Sequence, residues 1–339
     1  MLSYAELYRK GMERIGKAGA EHLLDLGAET RSQNRMNREF MESLAFEMRF
    51  LGSHYASAKT TLLGREVAHP IQLAALCPGR LLNAISGYWE EPYMESFAEG
   101  LKDAGSWFWA GRVAETELQR FIRIGVPVVR IVKPAYSEGW DETDMIIRQL
   151  KEAEDRGCIA VGMDIDVFFG EKSGDEPPER YSLGPQTMDQ MHRYVEATQL
   201  PFIVKGVLSV HDALKSKEIG AKAVVVSHHG GECIDYALPI LRILPHIRKA
   251  VPDMTIFAET GFQRGTDILK ALVLGADGVC LLTILMIAYA GYGRQGVTDM
   301  VRVLVDELER NMAICGCRSI DELDPGIVWH PYPDSTKGE

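Results

Sequence analysis

The chain has 339 residues with a formal net charge of −11 and a pI near 5.4. An acidic chain has no basic excess with which to neutralise phosphates, so a nucleic-acid or anionic-membrane partner is not expected. Hydrophobic residues at 46 % and charged residues at 25 % are the make-up of a globular enzyme. No charged-then-apolar leader is visible at the start. The longest apolar stretch, Val279–Tyr292, is shorter than the ~20 residues a membrane span needs; it reads as an inner strand running into a helix. The six cysteines have neither zinc nor disulfide spacing. Reduced thiols and a cytoplasmic setting are therefore expected.

The first sixty residues read as helical. Residues 4–27 place Leu7, Met12, Ile15, Leu23 and Leu24 at helical spacing. A second, more broken helical segment covers 31–51. The expected division is an N-terminal helical segment, 1–62, packed on a domain spanning 63–333.

From about residue 69 a regular alternation begins. Apolar runs recur at about 70–75, 106–110, 127–132, 159–165, 201–205, 222–227, 254–259 and 277–281. Amphipathic stretches such as 141–157 and 209–220 separate most of them. Eight apolar runs with helices between them predict a parallel sheet covered on both faces. Eight units in so short a span fit a closed (β/α)8 barrel, an α/β fold, better than an open sheet. A long loop rich in Gly, Pro and charge is expected at 168–185. A final helix is expected at about 297–314, and a loose tail after about 333.

In such a barrel the residues at the carboxyl ends of strands carry the chemistry. Strand four ends in Met-Asp-Ile-Asp, which puts Asp164 and Asp166 on one side by period-two alternation. Lys205 closes strand five; a buried lysine needs an anion, from a neighbouring carboxylate or from a ligand. Strand six ends in Ser227-His228-His229-Gly230-Gly231. A histidine there can serve as a general base near neutral pH. An aspartate bonded to it would orient the ring. The two adjacent histidines diverge, and no metal site is expected. After strand seven, Gly261 and Gly265 flank a loop that opens a helix, a place where backbone amides can cradle a phosphate.

Taken together these segments resemble the FMN-dependent α-hydroxy acid oxidising family. The resemblance rests on Gly27-Ala28-Glu29 with Asn37 and Arg38, and on the segments 202–214, 224–235, 258–279 and 315–323. It implies FMN as cofactor, a small-molecule substrate and a homo-oligomer of four or more chains. It also implies roles for single residues. His229 would be the base and Asp166 its partner. Lys205 would stabilise negative charge on the reduced flavin. Ser227 and Arg130 would contact the flavin, Arg130 in place of a glutamine. Glu259, Gly261 and Arg264 would belong to the segment that holds the cofactor and its phosphate.

Departures from the family pattern bear on the substrate. The arginine that grips a substrate carboxylate falls at Glu232, and two substrate tyrosines fall at Leu23 and Val132. His228 and Asp164 complete the expected pocket. An acid in place of a bidentate cation reverses the preference for a carboxylate, so lactate and glycolate are expected to be poor substrates. Near the phosphate, Thr260, Leu282 and Thr283 replace the usual residues. The alternative expectation is therefore a barrel that has lost FMN and binds another ligand or serves as a partner subunit.

Overall fold

A computed structural model of the chain describes residues 1–90, 92–135, 142–169 and 183–330. Eight parallel strands form one sheet: β1 (Ile71–Leu73), β2 (Phe108–Ala110), β3 (Val128–Val132), β4 (Ala160–Asp164), β5 (Phe202–Val207), β6 (Ala223–Val226), β7 (Thr255–Glu259) and β8 (Gly278–Leu281). From β2 to β8 each strand is bonded to its sequence neighbours within that run, and β8 pairs with β1. Between β1 and β2 the circuit is closed just beyond the strand. The Leu76 amide donates to Trp109 O at 2.9 Å, and the Gly111 amide to Leu76 O at 2.8 Å. The sheet is thus the expected (β/α)8 barrel, and all eight strands fall on the apolar runs read from sequence.

Strand parity separates two apolar layers. Trp109, Val129, Ile131, Ala160, Ile203, Val225 and Phe257 belong to an inner cluster. Val128, Val132, Val161, Val204, Val224 and Ile256 belong to a larger outer one that includes the helices. The Trp109 and Phe257 rings meet edge to face at 5.0 Å inside the barrel. A hairpin, Thr60–Leu62 with Arg65–Val67, adds Leu62 and Val67 to the inner cluster together with Trp107. It closes the amino end of the barrel. The expected boundary at 62/63 falls within this hairpin.

The N-terminal helices are α1 (Tyr4–Lys17) and α2 (Ser32–Ser43). Ser3 and Glu6 form a capping box that satisfies two of the first unpaired amides of α1. The shell helices follow as α3 (Arg80–Ser86), α4 (Tyr93–Ala104), α5 (Glu115–Ile124), α6 (Thr143–Asp155), α7 (Met188–Glu196), α8 (Val210–Glu218), α9 (Ile240–Ala250), α10 (Gly265–Val273) and α11 (Thr283–Ile314). The final helix starts earlier than the expected 297. It runs on from β8 with a break at Tyr292 and Gly293, where the torsions leave the helical region. Helix α1 lies close against α11. A Cβ at Gly11 would sit 2.0 Å from the Ile287 carbonyl oxygen, so only glycine permits this approach. The loop expected over 168–185 and the tail after 333 lie largely outside the described residues. No described helix is long and apolar enough to cross a membrane.

Candidate active site

Inward parity at the carboxyl ends of β3 to β7 assembles one charged cluster. Asp164 ends β4 and is the direct lateral partner of Lys205 on β5. Lys205 Nζ lies 2.8 Å from Asp164 Oδ1, 3.7 Å from Asp166 Oδ2 and 3.6 Å from Glu259 Oε2. Lys133, just past β3, reaches the other Asp164 oxygen at 2.7 Å. Three carboxylates thus answer Lys205, and Lys133 shares one of them. The sequence reading missed Lys133, although it follows Val129 and Ile131 at period two.

Burial sets the charge states. Desolvation opposes ionisation of Asp164, but Lys133 and Lys205 outweigh it and hold the carboxyl well below its usual range. The same carboxylates overcome desolvation at Lys205 and raise it well above an ordinary lysine. Glu259 goes the other way: desolvation raises it, and the cations only partly offset that. Asp164, Asp166 and His229 bring three possible metal-ligand atoms within 4.8 Å. The Lys205 ammonium sits against this group as its cation.

His229 is the junction of the cluster with the mouth. Its Nδ1 lies 2.8 Å from Asp166 Oδ1 and 3.3 Å from Lys205 Nζ. An ammonium has no lone pair to accept a proton, so Nδ1–H donates to Asp166 and the lysine contact is a charge contact. Nε2 is then the ring atom able to take a proton. Desolvation and Lys205 push the imidazole down, yet the charge and hydrogen bond of Asp166 prevail and leave it raised above 6.5. His229 has φ +51°, and Gly230 and Gly231 follow at +66° and +89°. The left-handed run turns the chain sharply, and the His229 amide is tied to Ser227 Oγ at 3.0 Å. Asp166 packs against Gly206, where a Cβ would lie 2.4 Å from its Cγ. A register shift between Lys205 and Val207 marks a bulge there, which re-aims the strand end.

The N-terminal segment fastens this mouth. The Ala28 amide donates to Gly231 O at 2.7 Å. Thr30 binds Asp235 through both its amide and its hydroxyl. Asn37 donates to Thr260 O at 3.2 Å and accepts from the Ile240 amide at 3.1 Å. Thr260 holds φ +95°, a strained torsion for a β-branched residue.

Several sequence expectations are corrected. Arg130 and Val132 have the parity of Val128, so they lie on the outer side of β3. Val132 belongs to the outer cluster and Arg130 donates to Val113 O at 3.3 Å. The inner positions of β3 are Val129 and Ile131, so neither outer residue points into the barrel. His228 also lies opposite to His229. It is buried with neither ring nitrogen hydrogen-bonded, and desolvation lowers it to about 4, so it stays neutral. Arg264, expected in the phosphate segment, is engaged within the chain. It pairs with Glu307 on α11 and stacks on Tyr4 at 4.1 Å. Around it the chain's own acids satisfy the loop: Asp267 accepts from the Gln263 and Arg264 amides, and Glu307 from that of Gly265. Leu23 is half-buried in a short turn of helix, and Glu232 is half-buried directly after the His229 turn. Ser227 is buried 3.5 Å from Thr260 Oγ1, and Gly261 follows that strained threonine.

This barrel with its lysine, histidine and carboxylate mouth has the architecture of a flavin-dependent oxidoreductase. The sequence pattern of FMN-dependent dehydrogenases matches residues 13–193 and 179–330, and the chain belongs to that family. It is 29 % identical over 323 residues to glycolate oxidase 3 of Arabidopsis thaliana, covering 88 % of each chain. Over 148 residues it is 36 % identical to the L-lactate dehydrogenase (cytochrome) of Saccharomyces cerevisiae, covering 42 % of this chain and 25 % of that one. Among solved structures, mandelate oxidase with benzoyl-formic acid superposes with a TM-score of 0.82 at 25 % identity, covering 96 % of this chain and 97 % of that one.

The mouth suits the family's cofactor. Asp166 Oδ2, Glu259 Oε2 and Trp109 Nε1 are buried without hydrogen-bond partners; a heterocycle carrying both donors and acceptors answers such atoms. Lys205 supplies the cation. At the phosphate end, α11 follows β8 directly and no side chain caps its amino terminus, so its first amides and positive dipole end suit an anion. FMN would be held by Lys205, Ser227 and Glu259 at its ring, and by backbone at Gly261 and the start of α11.

Proposed function

We propose that this protein oxidises a small alcohol-type substrate lacking a free carboxylate, using FMN. The observation that carries this is the 2.8 Å contact between His229 Nδ1 and Asp166 beside the buried Lys205. Bound flavin supplies the acceptor for the electron pair released from the substrate carbon. His229 Nε2 takes the hydroxyl proton as the carbinol carbon becomes a carbonyl. Asp166 keeps Nδ1 protonated and offsets the charge that the ring acquires. Lys205 would bring positive charge beside the bound flavin ring.

Glu232 argues for the substrate class. It stands three residues after the base, and an acid there repels a second carboxylate. Leu23 adds no donor. Uncharged alcohols and amino alcohols fit this lining better than 2-hydroxy acids. The reading includes a homo-oligomer as the working unit and a cytoplasmic setting; six unpaired cysteines accord with the latter.

Anaerobic mixing of FMN-saturated protein with glycolate, lactate, mandelate, neutral alcohols and amino alcohols tests it. Bleaching of the visible flavin band by neutral or cationic alcohols, and slower bleaching by the acids, is the expected result. Rapid reduction by lactate removes the substrate argument.

A second reading has its own observation. The amides opening α10 are taken by Asp267 and Glu307, and Arg264 is engaged elsewhere, so part of the expected phosphate grip is gone. A barrel binding a different ligand accords with that. A titration in which the protein takes up no FMN would place this reading first.

A further inference from the structure

The outer side of β3 carries a feature that the proton-transfer cluster does not use. Arg130 is 8 % exposed. One amino group, Nη2, donates to the Val113 carbonyl; the other, Nη1, is buried with no hydrogen-bond partner. A guanidinium stays charged at any pH a folded protein meets. A charge taken out of water needs a counter-charge or hydrogen bonds. Glu117 and Glu152 act on Arg130 only through space.

Beside it is a cavity of about 340 Å³ lined by Arg112, Arg130 and Lys133, with Gln149 as a further polar group and Val113 and Leu183 as apolar wall. Among the described residues no acid lines it. Three basic side chains around one space, one of them buried with an unused N–H, make a built anion site. We propose that this cavity binds the phosphate group of a small phosphomonoester.

Charge and size select that ligand. Arg130 offers a directed donor, and Arg112 and Lys133 add positive charge at the rim. Lys133 also meets Asp164 at 2.7 Å, so it contributes as a point charge shared with the cluster. A phosphate group offers three oxygens to the unused Arg130 N–H and the donors at the rim, where a carboxylate offers two. A water occupies about 30 Å³ in the liquid, so the space exceeds a bare phosphate several-fold. The surplus lies beside Val113 and Leu183, where a short carbon chain would rest. Because Lys133 touches both spaces, filling this one alters the charge beside Asp164 without entering the barrel mouth.

The test is calorimetric titration of the protein in saturating FMN, so that the flavin's own phosphate position is already filled. Inorganic phosphate, glycerol phosphate and acetate are added at constant ionic strength. Expected are one saturable site, tighter binding of glycerol phosphate than of phosphate, and little binding of acetate. Arg130→Met should weaken glycerol phosphate at least tenfold, whereas Arg264→Met should leave it unchanged. Absence of saturable binding, or equal affinity in Arg130→Met, overturns the proposal; binding of phosphate but not of its ester overturns the ligand class. Arg130→Met removes an unpartnered buried charge, so without anions its thermal midpoint should equal or exceed that of the parent. A lower midpoint would mean that the guanidinium serves the fold instead.

Discussion

Asp166 Oδ1 sits 2.8 Å from His229 Nδ1, and this contact decides the charge of the imidazole. Burial and Lys205 act against the cation, and Asp166 gives the largest support for it. The base form therefore accumulates above the usual 6.5, and kcat/KM should rise with pH towards a plateau. Asp166→Asn removes the strongest support of the cation, so the rise should move to lower pH. Its plateau should fall by about 10²–10⁴-fold, the usual worth of positioned general base catalysis. A pH–rate profile of both proteins checks this; an unmoved limb would mean that His229 does not set it. The linked stability has a definite sign. With its pKa raised on folding, His229 contributes stability that is full below about 6.5, the unfolded value, and is lost as pH rises through the folded value.

Lys205→Met should be strongly destabilising. The lysine is 3 % exposed and answers Asp164, Asp166 and Glu259. Removing one partner of a buried ion pair costs about 3–5 kcal/mol, because the remaining charge is left uncompensated. Urea unfolding at neutral pH measures the loss. At acid pH, where the stranded carboxylates take up protons, the gap between parent and variant should narrow. A constant gap would contradict the charge argument.

Glu232→Arg should turn the substrate preference. A charge-assisted hydrogen bond is worth about 1.5–3 kcal/mol, so kcat/KM for glycolate or lactate should increase about 10–100-fold. Steady-state rates on acids and on neutral alcohols, compared with the parent, provide the check. No gain with either acid would place Glu232 outside the substrate's reach.

Thr260→Gly should stabilise the protein. The threonine holds φ +95°, and such torsions cost about 1–3 kcal/mol in a non-glycine residue. Glycine gives back about 0.5–1 kcal/mol through the greater freedom of the unfolded chain. The hydroxyl's contact with Ser227 is long, at 3.5 Å, so little is lost with it. A net gain of about 1 kcal/mol is expected in equilibrium unfolding. A loss would show that the hydroxyl matters more than the torsion.

The strands were legible because each is an apolar run bounded by an amphipathic stretch, the pattern of a sheet buried on both faces. The same property hid their parity. Val128-Val129-Arg130-Ile131-Val132 has no polar alternation, so nothing within the strand says which residues point inward. A shift of one position exchanges the faces. The family resemblance places Arg130 and Val132 at the mouth, against the parity that β3 takes, and gives Lys133 no role. On β4 the two aspartates fixed the parity themselves, and their meeting with Lys205 and His229 followed. Arg264 misled for a different reason. The glycines around it suggested an open phosphate loop, whereas Asp267 and the distant Glu307 fill that loop from within. An acid three residues into a helix was the available signal, since it commonly caps the helix start.

The fastening of Gly231 by Ala28, of Asp235 by Thr30 and of Ile240 by Asn37 has a consequence for biosynthesis. Each bond joins residues about two hundred positions apart, so the amino-terminal segment emerges long before its partners exist. Loop closure over such distances is slow, and domains of this size commonly pass through collapsed intermediates. The strands can associate with their neighbours as they appear, but the turn that aims His229 cannot be secured until the chain has been made through β6. Catalytic competence should therefore be acquired late, after most of the barrel has condensed.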